Sequence, residues 1–172
     1  MFQDISNFNK IGDYLPIFNG VLIAELIILL LVQFGFFRSI FLQQWYLKFN
    51  ISAVIMDVFI LVIGFIITRY LYKKIFNRYK LWKFILLFLL IQIFHDIIFY
   101  LFFEYLIPKG KNRVIDLFKK YGKEVGLGAI IGDSFMVIIS CIIASLLASK
   151  KINNNIIISI ILVYLIPYFI FN

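Results

Sequence analysis

Five long apolar runs alternate with short polar connectors, at about residues 15–37, 51–72, 83–107, 126–149 and 156–171. Each reaches or approaches the ~20 residues that an α-helix needs to cross ~30 Å of hydrocarbon. The fifth run is the shortest, carries no charge and has Pro167 near its end, which predicts a lipid-facing helix. Residues 112–125 follow a different pattern. Val114, Leu117, Phe118, Tyr121 and Val125 share one helical stripe, with Asp116, Lys119, Lys120, Lys123 and Glu124 off it. This segment is too short and too charged to span, so it reads as an interfacial amphipathic helix. Asn112 is the expected N-cap, and Asp116 with Lys120 an i,i+4 ion pair. Phe2, Ile5 and Phe8 predict the apolar side of a short surface helix. Trp45 and Tyr46, in the connector after the first span, suit the membrane–water boundary. The fold class is therefore all-α: one domain, residues 1–172, forming a polytopic transmembrane helix bundle of about five spans with one interfacial amphipathic helix.

Composition strengthens this picture. The chain is 63% hydrophobic with mean hydropathy +1.00, against roughly 45–50% apolar for ordinary soluble domains. The formal charge of +8 comes from residues confined to the connectors. Arg69 to Lys83 holds six basic residues and no acid; Lys73, Lys74, Arg78, Lys80 and Lys83 are expected at the membrane surface, with Lys119, Lys120 and Lys123. The partner this implies is a lipid bilayer with anionic headgroups. Nucleic acid is not expected, because no segment is long enough to build a folded basic surface. Cys141 is the single cysteine, so no intrachain disulfide is expected, and the first ten residues lack the basic start of a cleavable signal peptide. Five spans place the termini on opposite sides. The N-terminal side then holds nine basic residues and the far side eight, so the positive-inside rule assigns no orientation.

The fourth run opens with Gly126, Gly128 and Gly132 and continues with Ser140, Ala144 and Ala148 at four-residue spacing. Small residues at that spacing let helix backbones approach closely, so this helix is expected to be the most enclosed.

Each of the first four runs contains one interior carboxylate: Glu25, Asp57, Asp96 and Asp133. Asp57, Asp96 and Asp133 each lie about seven residues from the far-side end of their run, or roughly 10 Å deep at 1.5 Å per residue. Glu25 falls nearer mid-membrane. Gln92, His95 and Asp96 occupy positions i, i+3 and i+4 and share a helical face. Three carboxylates at one level cannot all be charged without compensation, and His95 is the one candidate cation within the runs. The favoured reading is a structural one, in which Asp57, Gln92, His95, Asp96, Asp133 and Ser134, with Glu25 in the same buried polar cluster, hydrogen-bond between helices. The alternative is a proton or cation pathway, since intramembrane ionisable groups often mark relays. A lipid-modifying enzyme comes third, because one histidine is too few for His-rich catalytic zinc or iron sites. No catalytic residue and no cofactor is assigned. The metal question stays open, since carboxylate-rich Mg²⁺ or Mn²⁺ sites do not need histidine. Gly132-Asp133 is similar to the end of the Gly-x-Gly-Asp signature of intramembrane aspartyl proteases, but Ile130 stands where the first glycine belongs.

Three groups of residues carry a family resemblance: Gln92, His95, Asp96 and Phe99; then Pro108, Gly110, Asn112, Asp116, Phe118, Lys119, Tyr121 and Glu124; then Gly132, Asp133, Ser134 and Met136. Over residues 92–136 the chain resembles an uncharacterised group of small multi-pass membrane proteins of large DNA viruses that infect protists. The resemblance implies a viral source and a place in a virion or host-derived membrane. It brings no activity and no catalytic residues. The expected function is a non-enzymatic structural or scaffolding role in a viral or intracellular membrane. A second copy of the chain and other membrane or capsid proteins are left open as partners.

Overall fold

A computed structural model describes residues 2–171 as an all-helical chain. A short 3₁₀ turn, Ile11–Asp13, leads into α1 (Tyr14–Gln33). Then come α2 (Ile40–Phe49), α3 (Ile51–Ile75), α4 (Leu81–Leu106), α5 (Arg113–Val125), α6 (Gly128–Leu147) and α7 (Ile152–Ile170). Five of these, α1, α3, α4, α6 and α7, are long and apolar enough to cross a membrane. Their outward faces carry large bare side chains, including Phe59, Ile63, Leu90, Phe94, Ile160 and Val163. Soluble monomers rarely expose apolar patches on this scale, and a bilayer covers them. The chain is a multi-pass membrane protein.

The centre of the bundle is α1, not α6 as the small-residue pattern predicts. Two thirds of α1's apolar window is buried (67%), against 33% for α6. It packs along α6 and also touches α7, α3 and α2. The small residues of α6 do make a close backbone contact, and their partner is Gly20 on α1. A Cβ built on Gly20 would lie 2.7 Å from the Ser140 carbonyl oxygen and 2.8 Å from the Ala144 amide nitrogen. Ser140 and Ala144 are buried there, and Ala148 packs at the edge of the core. Gly126, Gly128 and Gly132 do not serve helix packing. Gly126 ends α5 with φ +55°, a conformation that favours glycine. An added Cβ on Gly128 would lie 2.7 Å from the side chain of Val125, the last residue of α5, and one on Gly132 meets nothing within 4 Å.

The outer helices use narrower seams. Along α4 the buried residues are Phe84, Phe88 and Gln92, one per turn. Phe88 lies against Gly64 of α3, where a larger residue would collide with its ring. On α7 most side chains are exposed, but buried Asn155 binds the Asn19 amide through its backbone oxygen (2.8 Å), and Ser159 donates to Asn19 Oδ1.

The N-terminal segment corrects the surface-helix expectation. Residues 2–10 are not helical. The Asp4 carboxylate accepts from the amide (2.8 Å) and hydroxyl (2.7 Å) of Ser6, a local bond that competes with helix formation. Ile5 is fully buried instead of lining a surface. Gln3 exchanges backbone and side-chain bonds with Ser145 (3.1 and 2.7 Å), tying the segment to the end of α6. Arg69, one of the basic residues counted on this side, is also buried. Its guanidinium donates to the Asn7 and Lys10 carbonyls, lies 3.8 Å from Asp13 and stacks on Tyr14.

Candidate functional site

On the far side, α2 and α5 close over the bundle between the ends of the spans. The side chain of Ser39 caps α2 by accepting from the Leu42 amide (3.1 Å). Glu124, near the end of α5, completes the cap. It accepts from the Ser39 hydroxyl (2.5 Å) and from the Ile40 and Phe41 amides (3.0 and 3.2 Å). Desolvation alone would raise the Glu124 carboxyl, but the hydroxyl and the two amides together hold it below its ordinary value. A carboxylate at a helix N-terminus is also favoured by the helix dipole. The ring of Trp45 lies 4.7 Å from that of Phe118, joining the middles of the two helices.

The cap on α5 is the expected one. Asn112 accepts from the Val114 and Ile115 amides, and Ile115 and Leu117 are buried, with Phe118 and Tyr121 half-buried. The expected Asp116–Lys120 pair does not form. Both Asp116 oxygens accept from the Gly110 amide at 3.0 Å, because Gly110, at φ +88°, turns its N–H toward them. Lys119 is not a free surface cation either. Its ammonium donates to the Ile107 carbonyl (2.7 Å) and approaches that of Glu104 (3.4 Å), closing the end of α4. Lys123 pairs with the Glu104 carboxylate at 3.2 Å. Lys120 stays exposed, as do Lys73, Lys74, Arg78 and Lys80, while Lys83 is half-buried beside Phe76 and Trp82.

Beneath this cover the carboxylates meet. Trp45 and Tyr46 are buried against the bundle, and both point into the acidic level. The Trp45 indole donates to Asp57 (2.8 Å). The Tyr46 hydroxyl lies 3.0 Å from Glu25 and 3.5 Å from Asp57, bridging α1 and α3 through α2. Burial, then the charges of Glu25 and Asp57, hold the Tyr46 phenol well above its ordinary value, so it remains a donor. Glu25 thus joins the cluster despite lying deeper in its span. Asp133 lies on α6, which packs against α4, the helix that carries Asp96. Tyr121 reaches the same region from α5; burial, then Asp133 and Asp57, push its phenol up.

Within α4 the polar face is folded on itself. Gln92 donates to Asp96 (2.8 Å) and the His95 ring lies 3.1 Å from the same oxygen. These bonds orient Asp96 and do not tie α4 to another helix, so the expected interhelical role passes to Trp45 and Tyr46. His95 is about one third exposed (36%). Ser134 is half-buried one residue from Asp133. Among the described residues, Glu25 Oε2 and Asp96 Oδ2 are buried with no hydrogen-bond partner, as are atoms of Asp13, Arg69, Tyr79 and Glu104 outside the cluster. Also among the described residues, no three His, Cys, Asp or Glu side chains form a group that could hold a metal ion. The Tyr46 hydroxyl links Glu25 with Asp57, while Asp96 and Asp133 lie on the neighbouring helices α4 and α6.

No protein-family model, curated protein or solved structure matches this chain.

Proposed function

We propose that this membrane protein takes up and releases protons at the interior carboxylates, as part of a small proton or cation pathway. The observation that carries the reading is a shortage of donors. The Glu25, Asp57, Asp96 and Asp133 oxygens outnumber the N–H and O–H groups facing them, and buried oxygens on Glu25 and Asp96 have no partner. A purely structural cluster satisfies its polar groups, because each one left unpaired destabilises the fold. Exchangeable protons on the carboxyls supply the missing donors.

A structural or scaffolding role is the second reading. It is supported by Tyr46, which bonds α1 and approaches α3 from α2 as an interhelical pin would. The resemblance over residues 92–136 supports placing the protein in a viral or host-derived membrane under either reading.

Infrared difference spectroscopy on reconstituted protein tests proton uptake. A carboxyl C=O band should change on a pH step, and Asp133→Asn should remove part of it. A spectrum without any pH-responsive carboxyl band would leave the scaffolding reading.

A further inference from the structure

Beside the cover over the acidic centre lies a cavity of about 470 Å³, lined by Lys48 and Phe49 of α2 and Arg113, Asp116, Leu117 and Lys120 of α5. Three cations converge there, and among the described residues none forms an ion pair. Lys48 bonds the neutral Gln44 (2.8 Å), and Lys120 lies 6.0 Å from the Phe41 ring. Asp116 offsets one of the three charges, its oxygens accepting from the Gly110 amide, and the lining stays net positive. Phe49 and Leu117 give the cavity an apolar side. Both helices connect the far-side ends of the membrane spans, which sets the cavity beside those ends.

We propose that this cavity binds one anionic phospholipid. The phosphate sits among Lys48, Arg113 and Lys120, and the first carbons of the acyl chains lie against Phe49 and Leu117. Charge complementarity selects an anion, since three cations outnumber the single carboxylate in the lining. The apolar wall selects a lipid phosphate over a free one, because a soluble anion gains nothing from Phe49 and Leu117. Basic pockets between membrane helices bind lipid headgroups by this combination. The site is separate from the interior carboxylates and stands whether or not those groups exchange protons.

The test is native mass spectrometry and titration of the full chain in neutral detergent, with phosphatidylglycerol, phosphatidylcholine or inorganic phosphate as probes. Wild type should retain phosphatidylglycerol and release phosphatidylcholine. Arg113→Gln with Lys120→Gln should weaken phosphatidylglycerol binding by about tenfold or more, as loss of two cations at an anionic headgroup implies. Lys150→Gln with Lys151→Gln, exposed on the other side, should leave it within about twofold. Unfolding temperatures measured without lipid should be the same for all three proteins, since every substituted residue is exposed. Equal loss in both double variants would mean diffuse surface attraction and overturn the site. Equal retention of the two lipids would overturn it as well. Displacement of the lipid by millimolar inorganic phosphate would reassign the cavity to a soluble anion.

Discussion

Gly20→Val should destabilise the bundle by about 3 kcal/mol, the upper part of the usual range for overpacking a closed contact. The first added carbon already falls 2.7 Å from the Ser140 oxygen and 2.8 Å from the Ala144 nitrogen. Both are backbone atoms inside a hydrogen-bonded helix, so neither can rotate away. The two helices must separate, which loosens packing along the most buried span. Removing a helical glycine returns roughly 1 kcal/mol, too little to offset the separation. Gly132→Ala is the control. Nothing lies within 4 Å of its new carbon, so it should be neutral or stabilising by up to about 1 kcal/mol. Reversible unfolding in mixed detergent measures both. Equal effects would mean that Gly20 is not at a close backbone contact.

Tyr46→Phe should cost about 1–2 kcal/mol, because it removes the hydroxyl bonded to Glu25 Oε1 and leaves a buried acceptor bare. The other Glu25 oxygen already lacks a protein donor, so an exchangeable proton would be the one donor left to both. Glu25→Leu combined with Tyr46→Phe removes both ends of the bond. The double variant should be less destabilised than the sum of the two singles, with a coupling of about 1 kcal/mol. Simple additivity would place the Tyr46 hydroxyl outside the cluster's energetics.

Five spanning helices are legible in the sequence because the signal is local: each run alone is long enough and apolar enough. The shared depth of Asp57, Asp96 and Asp133 is legible for a similar reason, since it needs only helix rise and alternating direction. The contacts around them are not. Trp45 and Tyr46 have the composition of interface anchors, and what turns them inward is the cap that Glu124 places on α2 from 85 residues away. Gly20 is invisible beside the Ser140–Ala144 pattern because a close approach needs both surfaces, and one isolated glycine in an apolar run carries no period. Arg69 looks like another surface cation until the carbonyls of Asn7 and Lys10 fold onto it. In each case the deciding partner is distant in sequence.

Proton flux into proteoliposomes, measured with an internal pH-sensitive dye beside thermal stability in detergent, tests the central claim most directly. Wild type should carry protons down an imposed gradient. Asp96→Asn keeps the shape of the side chain and the oxygen that accepts from Gln92, so its unfolding temperature should stay close to wild type. Its flux should vanish, because an amide cannot exchange the proton that the carboxyl passes on. Wild-type protein that is correctly folded yet carries no protons would contradict the pathway, as would flux that persists in a stable Asp96→Asn variant.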